Sequence, residues 1–240
     1  PYVKRLQELN RTPDANYDTF RKAVEHPDPA IRANAIIGLI KVTNYLLDQQ
    51  LKRLEKDFVE NADIVIMEVN PNLPRTFGDT HVHISQIDYL VEVDAQIPTL
   101  DQPVLTEKDL LIGNYAADLV EDGSTIQIGF GNITGAIAQC LSDKKDLGVH
   151  SEMFTDSILS LYEAGAITNR KKTLWKDKFV TDAALGSRKL YDFLDENMSV
   201  EFHRGSVVND PAIIARNNKM VSINAALQMD LTGQCCAESF

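Results

Sequence analysis

A glutamate, an asparagine and a pair of glycines are the residues best suited to chemistry in this 240-residue chain. Glu152 sits in His150-Ser151-Glu152-Met153-Phe154-Thr155-Asp156, which reads as the end of a short strand leading into a helix. A carboxylate there, beside apolar neighbours and partly desolvated, can act as a nucleophile or a base. The same pattern equally describes a surface glutamate at a helix start. Gly129-Phe130-Gly131-Asn132-Ile133 follows a strand and opens a helix. Its glycines let the backbone approach a ligand, and the helix start offers unpaired N–H groups. It is not a dinucleotide fingerprint, because the third glycine is Gly135 where G-x-G-x-x-G needs it at 134. A plain tight turn is the alternative. In Val208-Asn209-Asp210-Pro211, Pro211 suits the first turn of a helix that Asn209 or Asp210 would cap. An amide at that point can also donate to a developing oxyanion.

Other chemistries find less support. His81-Val82-His83 would place two imidazoles on one face of a strand, and His150 is a third potential ligand. No H-E-x-x-H or comparable spacing accompanies them, so no metal site is expected. There is no G-x-S-x-G elbow. Cys140, Cys235 and Cys236 give neither a C-x-x-C pair nor an even count, which fits a reducing cytoplasm. Lys+Arg total 24 against Asp+Glu 35, a formal net charge of −11, which argues against nucleic-acid or anionic-membrane partners. No run reaches the roughly 18–20 apolar residues of a membrane span, and no signal-peptide pattern opens the sequence.

The elements that would position these residues change style near residue 60. Before it, Asp28 caps a helix with Pro29 at its first position, and Ile36, Leu39, Ile40, Leu46, Leu47, Leu51, Leu54 and Phe58 recur at helical steps. Residues 1–60 are therefore expected to form a helical segment that packs against partner helices. From residue 61 to 240, strands and helices alternate. Strands are expected at 64–69, 89–93, 125–128, 179–185, 200–203 and 220–226, with helices from Thr106 and near 136–141, 157–164 and 187–195. Asp109 stands where a capping-box acid belongs. Such alternation predicts an α/β fold, a sheet covered by helices.

Taken together, several segments are more specific than any one. Asn70-Pro71-Asn72-Leu73-Pro74-Arg75-Thr76-Phe77-Gly78-Asp79, Asp143-Lys144-Lys145-Asp146-Leu147-Gly148-Val149-His150-Ser151-Glu152-Met153-Phe154, Lys189-Leu190-Tyr191-Asp192-Phe193, Val208-Asn209-Asp210-Pro211 and Val221-Ser222-Ile223-Asn224 occur in order. This set resembles the acetyl-CoA hydrolase/transferase family, within it the 4-hydroxybutyrate CoA-transferase branch, over about residues 62–240. The stretch around Ala33-Asn34-Ala35 and Asn44-Tyr45-Leu46-Leu47-Asp48 instead resembles the C-terminal extension of small four-helix-bundle proteins.

The family resemblance implies a helix-covered, mostly parallel sheet of CoA-transferase type. It implies Glu152 as nucleophile, Asn209 as a donor to the thioester or anhydride carbonyl, and the Phe130 N–H as a second donor. Gly129, Phe130, Gly131 and Asn132 would line the CoA site. Coenzyme A would be a substrate, with no permanently bound cofactor, and the other partner a short carboxylate. Thr134-Gly135 replaces the Pro-Asp of many relatives, which bears on acceptor choice. The sequence is expected to be a fused or truncated form, lacking the front of the family's N-terminal domain and the glycine-rich segment beyond Phe240. Three functions stay open: a CoA-transferase, an acyl-CoA hydrolase using the same glutamyl thioester, or an inactive chain with a helical association module. Association with further copies of the chain is also open.

Overall fold

The computed structural model describes residues 56–100 and 104–237. The chain divides into two units: Pro1–Leu73 with Val82–Thr99, and Pro74–His81 with Leu100–Phe240. Of the helical expectation for residues 1–60, all but the final helix, α1 (Lys56–Asn61), lies outside the described residues.

In the first unit, β1 (Ile66–Val69) pairs in parallel with a later strand at Tyr89–Glu92, placing Ile66 opposite Tyr89. The buried Asn70 holds the ends together, donating to the Ala95 carbonyl at 2.8 Å and accepting from the Asn72 backbone at 3.1 Å. His81-Val82-His83 does not form a strand. His83 instead caps a single 3-10 turn, Ile84–Gln86, its Nδ1 accepting from the Ser85 backbone while Gln86 accepts from the His83 N–H. That reciprocal capping uses the imidazole locally, which removes the two-histidine face.

The second unit opens with β2 (Phe77–Gly78), with β3 (Tyr89–Glu92) falling between it and α2 (Glu107–Ala117) in sequence. Thr106 and Asp109 cap α2 reciprocally, as their spacing predicts. Then follow β4 (Thr125–Ile128), α3 (Asn132–Cys140), β5 (Gly148–Phe154), α4 (Asp156–Glu163), β6 (Phe179–Ala184) and α5 (Arg188–Leu194). The chain continues through β7 (Val200–Phe202), α6 (Gly205–Val208), α7 (Pro211–Ile214), β8 (Met220–Ile223) and a small hairpin, β9 (Gln228–Met229) with β10 (Cys235–Cys236).

Six strands form one sheet in the order β2-β7-β6-β5-β4-β8, every pairing parallel. Parallel strands need crossovers, and α3, α4 and α5 supply them between successive central strands. The central strands are buried on both faces, as such sheets require, with apolar residues interrupted by polar ones such as His150, Ser151 and Thr181. Phe154 and Phe179 are fully buried and meet Tyr162 and Phe193 in an aromatic cluster with ring centres 5.3–6.4 Å apart. Helix α2 lies against α3 so closely that a Cβ on Gly113 would come within 2.8 Å of the Ala136 carbonyl. Among the described residues no helix is long and apolar enough to cross a membrane.

Candidate active site

Side chains alternate along a strand, so His150 and Glu152 share one face of β5 while Ser151 points to the other. Glu152 lies inside β5, two residues before its end, and not at a strand terminus as the sequence suggested. The strand runs on because β6 keeps pairing with it as far as Phe154. The pairing with β4, by contrast, stops at Ile126–Val149. Beyond that point the Ser151 hydroxyl takes over, donating to the Ile128 carbonyl at 3.2 Å and accepting from the Ile128 N–H at 3.3 Å. This bridge keeps Ile128 opposite Ser151 and brings Gly129 level with Glu152. Thr181 on β6 donates to the Glu152 carbonyl at 3.0 Å, fixing the backbone from the other side.

The Glu152 side chain is half-buried, and its Oε2 accepts from the Asn209 side-chain amide at 3.1 Å. Asn209 closes the one-turn helix α6, its own N–H donating to the Gly205 carbonyl at 2.9 Å. The start of α6 sits tightly on β6: a Cβ on Gly205 would lie 3.1 Å from the Asp182 Oδ2. Its end is tied to β5 by His150, whose Nε2 lies 2.9 Å from the Val208 carbonyl. Asp210 caps α7 through the Ala212 N–H, with Pro211 in the first turn, so the capping role and the amide role fall on adjacent residues.

The glycine turn joins β4 to α3 beside this pair. Gly129 donates to the Ile223 carbonyl at 2.8 Å, and a Cβ there would stand 2.7 Å from the Asn224 Oδ1. Gly131 has φ 124°, a conformation that side chains disfavour, and precedes Asn132, the first residue of α3. No side chain caps Gly131, although Thr134 donates to its carbonyl at 2.9 Å. Phe130 between the glycines is half exposed. On the far side, Gln127, Ser222 and Asn224 bond to one another, with Gln127 donating to Asn224 at 3.0 Å and receiving from it at 2.9 Å.

Behind Glu152 the environment disfavours extra positive charge. Burial lowers the basicity of His150; the bond to Val208 opposes that, and the charges of Lys172 and His203 add to it. Burial likewise pushes Lys172 down to about 7, against the pull of Glu201. Lys172 Nζ donates to the carbonyls of Val149 and Lys178, both at 2.7 Å. Trp175 stands between two imidazoles, 5.9 Å from His150 and 5.1 Å from His203 between ring centres. A carboxylate oriented by an amide, next to a glycine turn with a helix start, is suited to nucleophilic attack on a carbonyl and to holding the resulting oxyanion.

Comparison with known proteins gives the family. The family description "Acetyl-CoA hydrolase/transferase C-terminal domain" matches residues 186–240. The chain is 46% identical over 184 residues to the 4-hydroxybutyrate coenzyme A transferase of Clostridium kluyveri, covering 77% of this chain and 43% of that protein. It is 43% identical over 182 residues to the succinyl-CoA:cyclohexane-1-carboxylate CoA transferase of Geobacter metallireducens, covering 76% and 42%. The crystal structure of 4-hydroxybutyrate CoA-transferase from Porphyromonas gingivalis superimposes with a TM-score of 0.70 at 40% identity, over 75% of this chain and 46% of that one. From about residue 62 onward this chain belongs to the acetyl-CoA hydrolase/transferase family. It spans less than half the length of these family members.

Within this family segment, the structure joins Glu152 to Asn209 directly, while Gly129, Phe130, Gly131 and Asn132 form the adjoining turn. The fixing roles of Ser151 and Thr181 carry no sequence signature. His150 as the tie to α6 was within reach, since its spacing of two from Glu152 places both on one face of β5.

Proposed function

We propose that this chain supplies the nucleophile of a CoA-transferase, moving CoA from an acyl-CoA to a short-chain carboxylate of the acetate, butyrate or 4-hydroxybutyrate kind. The observation that carries the reading is the Glu152–Asn209 contact: a carboxylate on a buried strand with an amide aimed at it. The names of the relatives, both CoA transferases, support the substrate class.

In the first step the Glu152 carboxylate adds to the thioester carbonyl and expels CoA thiolate, giving an acyl-glutamyl anhydride. Thiolate then attacks the glutamyl carbonyl and releases the donor carboxylate, leaving a glutamyl-CoA thioester. An acceptor carboxylate attacks that thioester, and the thiolate it expels takes the acceptor's acyl group from the resulting anhydride. The new acyl-CoA departs and the Glu152 carboxylate is restored, with no net proton or electron change. Thioester energy is kept in covalent bonds throughout. Each addition builds an oxyanion, where the Asn209 amide and the Phe130 N–H would donate.

The test is incubation of the chain with acetyl-CoA followed by peptide mass analysis. CoA is expected on the peptide containing Glu152, and Glu152→Gln removes it because a neutral amide is a poor nucleophile. An adduct that survives this substitution would place the nucleophile elsewhere.

A further inference from the structure

Helix α6 is a single turn, and the last carbonyls of any helix lack partners within it. Val208 is one of these end residues, and it is only 1% exposed, so water does not satisfy its carbonyl. His150, also 1% exposed, lies 2.9 Å away through Nε2. A carbonyl oxygen only accepts, so the proton must sit on Nε2. The other ring nitrogen, Nδ1, is buried without a hydrogen-bond partner, which suits a bare lone pair better than a second N–H. The imidazole is thus a neutral donor in a fixed tautomer, walled by Trp175 and by the strand that Lys172 braces at Val149.

This bond ends one residue before Asn209. It completes a closed circuit: β5 at His150, across to Val208, along one peptide to Asn209, and back to β5 at Glu152. The two hydrogen bonds, 2.9 Å and 3.1 Å, leave the same face of the same strand two residues apart, a spacing of about 7 Å. A four-residue helix has little rigidity of its own, so the direction of the Asn209 amide depends on where its final carbonyl is held.

We propose that His150 is a positioning residue that sets the Asn209 amide against Glu152 through the Val208 carbonyl. The proposal rests on the reading of Glu152 as the nucleophile, and its role would be exerted entirely through Asn209.

Three measurements test it. Adduct formation from acetyl-CoA should slow about 10- to 100-fold in His150→Phe, because misplacement of a reacting group by about 1 Å costs on that order. His150→Gln, which keeps an N–H at the Nε2 position, should stay within about 5-fold of the parent. In an Asn209→Ala background, His150→Phe should cost less than about 2-fold more, since groups acting as a unit are not additive. Equal losses in both backgrounds, or none in either, overturn the proposal. The wild-type chain gives a second arm that needs no variant to fold: imidazole 15N spectra should show the neutral Nε2-protonated tautomer, and an Nδ1-protonated ring sinks the idea. A third arm is independent of catalysis. The Asn209 side-chain amide resonance should move when Glu152 is replaced by Gln in the parent and in His150→Gln, and stop doing so in His150→Phe. If the parent shows this coupling but forms no adduct, the nucleophile reading fails and the positioning role stands. If the coupling survives His150→Phe, the positioning role fails whatever the adduct does.

Discussion

The Glu152 carboxylate and the Asn209 amide, 57 residues apart in sequence, meet at 3.1 Å. Two variants separate what each contributes. Asn209→Ala removes one oxyanion donor and should slow glutamyl-adduct formation by about 10²–10³-fold. Glu152→Asp withdraws the carboxylate by roughly 1 Å and should cost at least about 10²-fold. Single-turnover mass analysis of the Glu152 peptide reads both; an Asn209→Ala chain that reacts at the parent rate would remove Asn209 from the site.

Lys172 makes stability depend on pH in a defined direction. Its folded-state value of about 7 lies well below the ordinary 10.5, so between these limits the unfolded chain holds a proton that the folded chain has released. Stability therefore rises with pH across that window, by up to about 1.4 kcal/mol per unit, and the disadvantage of the buried charge is complete below about 7. Lys172→Met removes the term. Urea unfolding of both chains at pH 6, 7, 8 and 9 should show the parent gaining on the variant as pH rises; parallel curves would refute the shift.

Two glycines should respond oppositely to alanine. Gly148 carries the Lys172 stem directly on its Cα, so a Cβ would stand 2.3 Å from the Lys172 Cγ. Gly148→Ala should lose about 1–3 kcal/mol from overpacking. Gly135 lies inside α3, and its Cβ would meet only the Ser157 Oγ at 3.6 Å. Gly135→Ala should gain about 0.5–1 kcal/mol, as alanine exceeds glycine in a helix. Thermal unfolding of the pair checks the contrast.

Asp156 anchors the loop that starts α5. It is nearly buried and accepts from the Ser187 N–H at 2.7 Å and the Ser187 hydroxyl at 2.5 Å. Asp156→Ala leaves those donors unpaired and should cost about 1–3 kcal/mol in denaturant midpoint experiments. A loss no greater than that of a surface substitution would show that water replaces the carboxylate.

Much of the central sheet is legible in the sequence because its strands are short apolar runs between capping and turn residues. Thr125–Ile128 and Phe179–Ala184 stand where those runs predict, and Thr106 with Asp109 marks the start of α2 to the residue. The small elements are not legible. Phe77–Gly78 is too short to show a period, and α6 has only four residues. Both owe their conformation to partners far along the chain. For the same reason local spacing could not place Asn209 beside Glu152; family resemblance named both, but only the turn of α6 shows how one faces the other.

The two-residue strand β2 has a consequence for dissecting the protein. It arrives from Pro74–His81, upstream of segment Val82–Thr99, yet it closes the β7 side of the main sheet. It is pinned by the Arg75 N–H on Asp195, by the Asp79 N–H on the Phe202 carbonyl and by Arg204 on Asp79. Gly78 fits only because it has no side chain: a Cβ would fall 2.2 Å from the Phe202 carbonyl. A recombinant fragment started at Leu100 would keep five strands of the sheet and still strip this border. The bared backbone of β7 would then be open to pairing with any extended chain, and the fragment should precipitate or self-associate where a version begun at Pro74 does not.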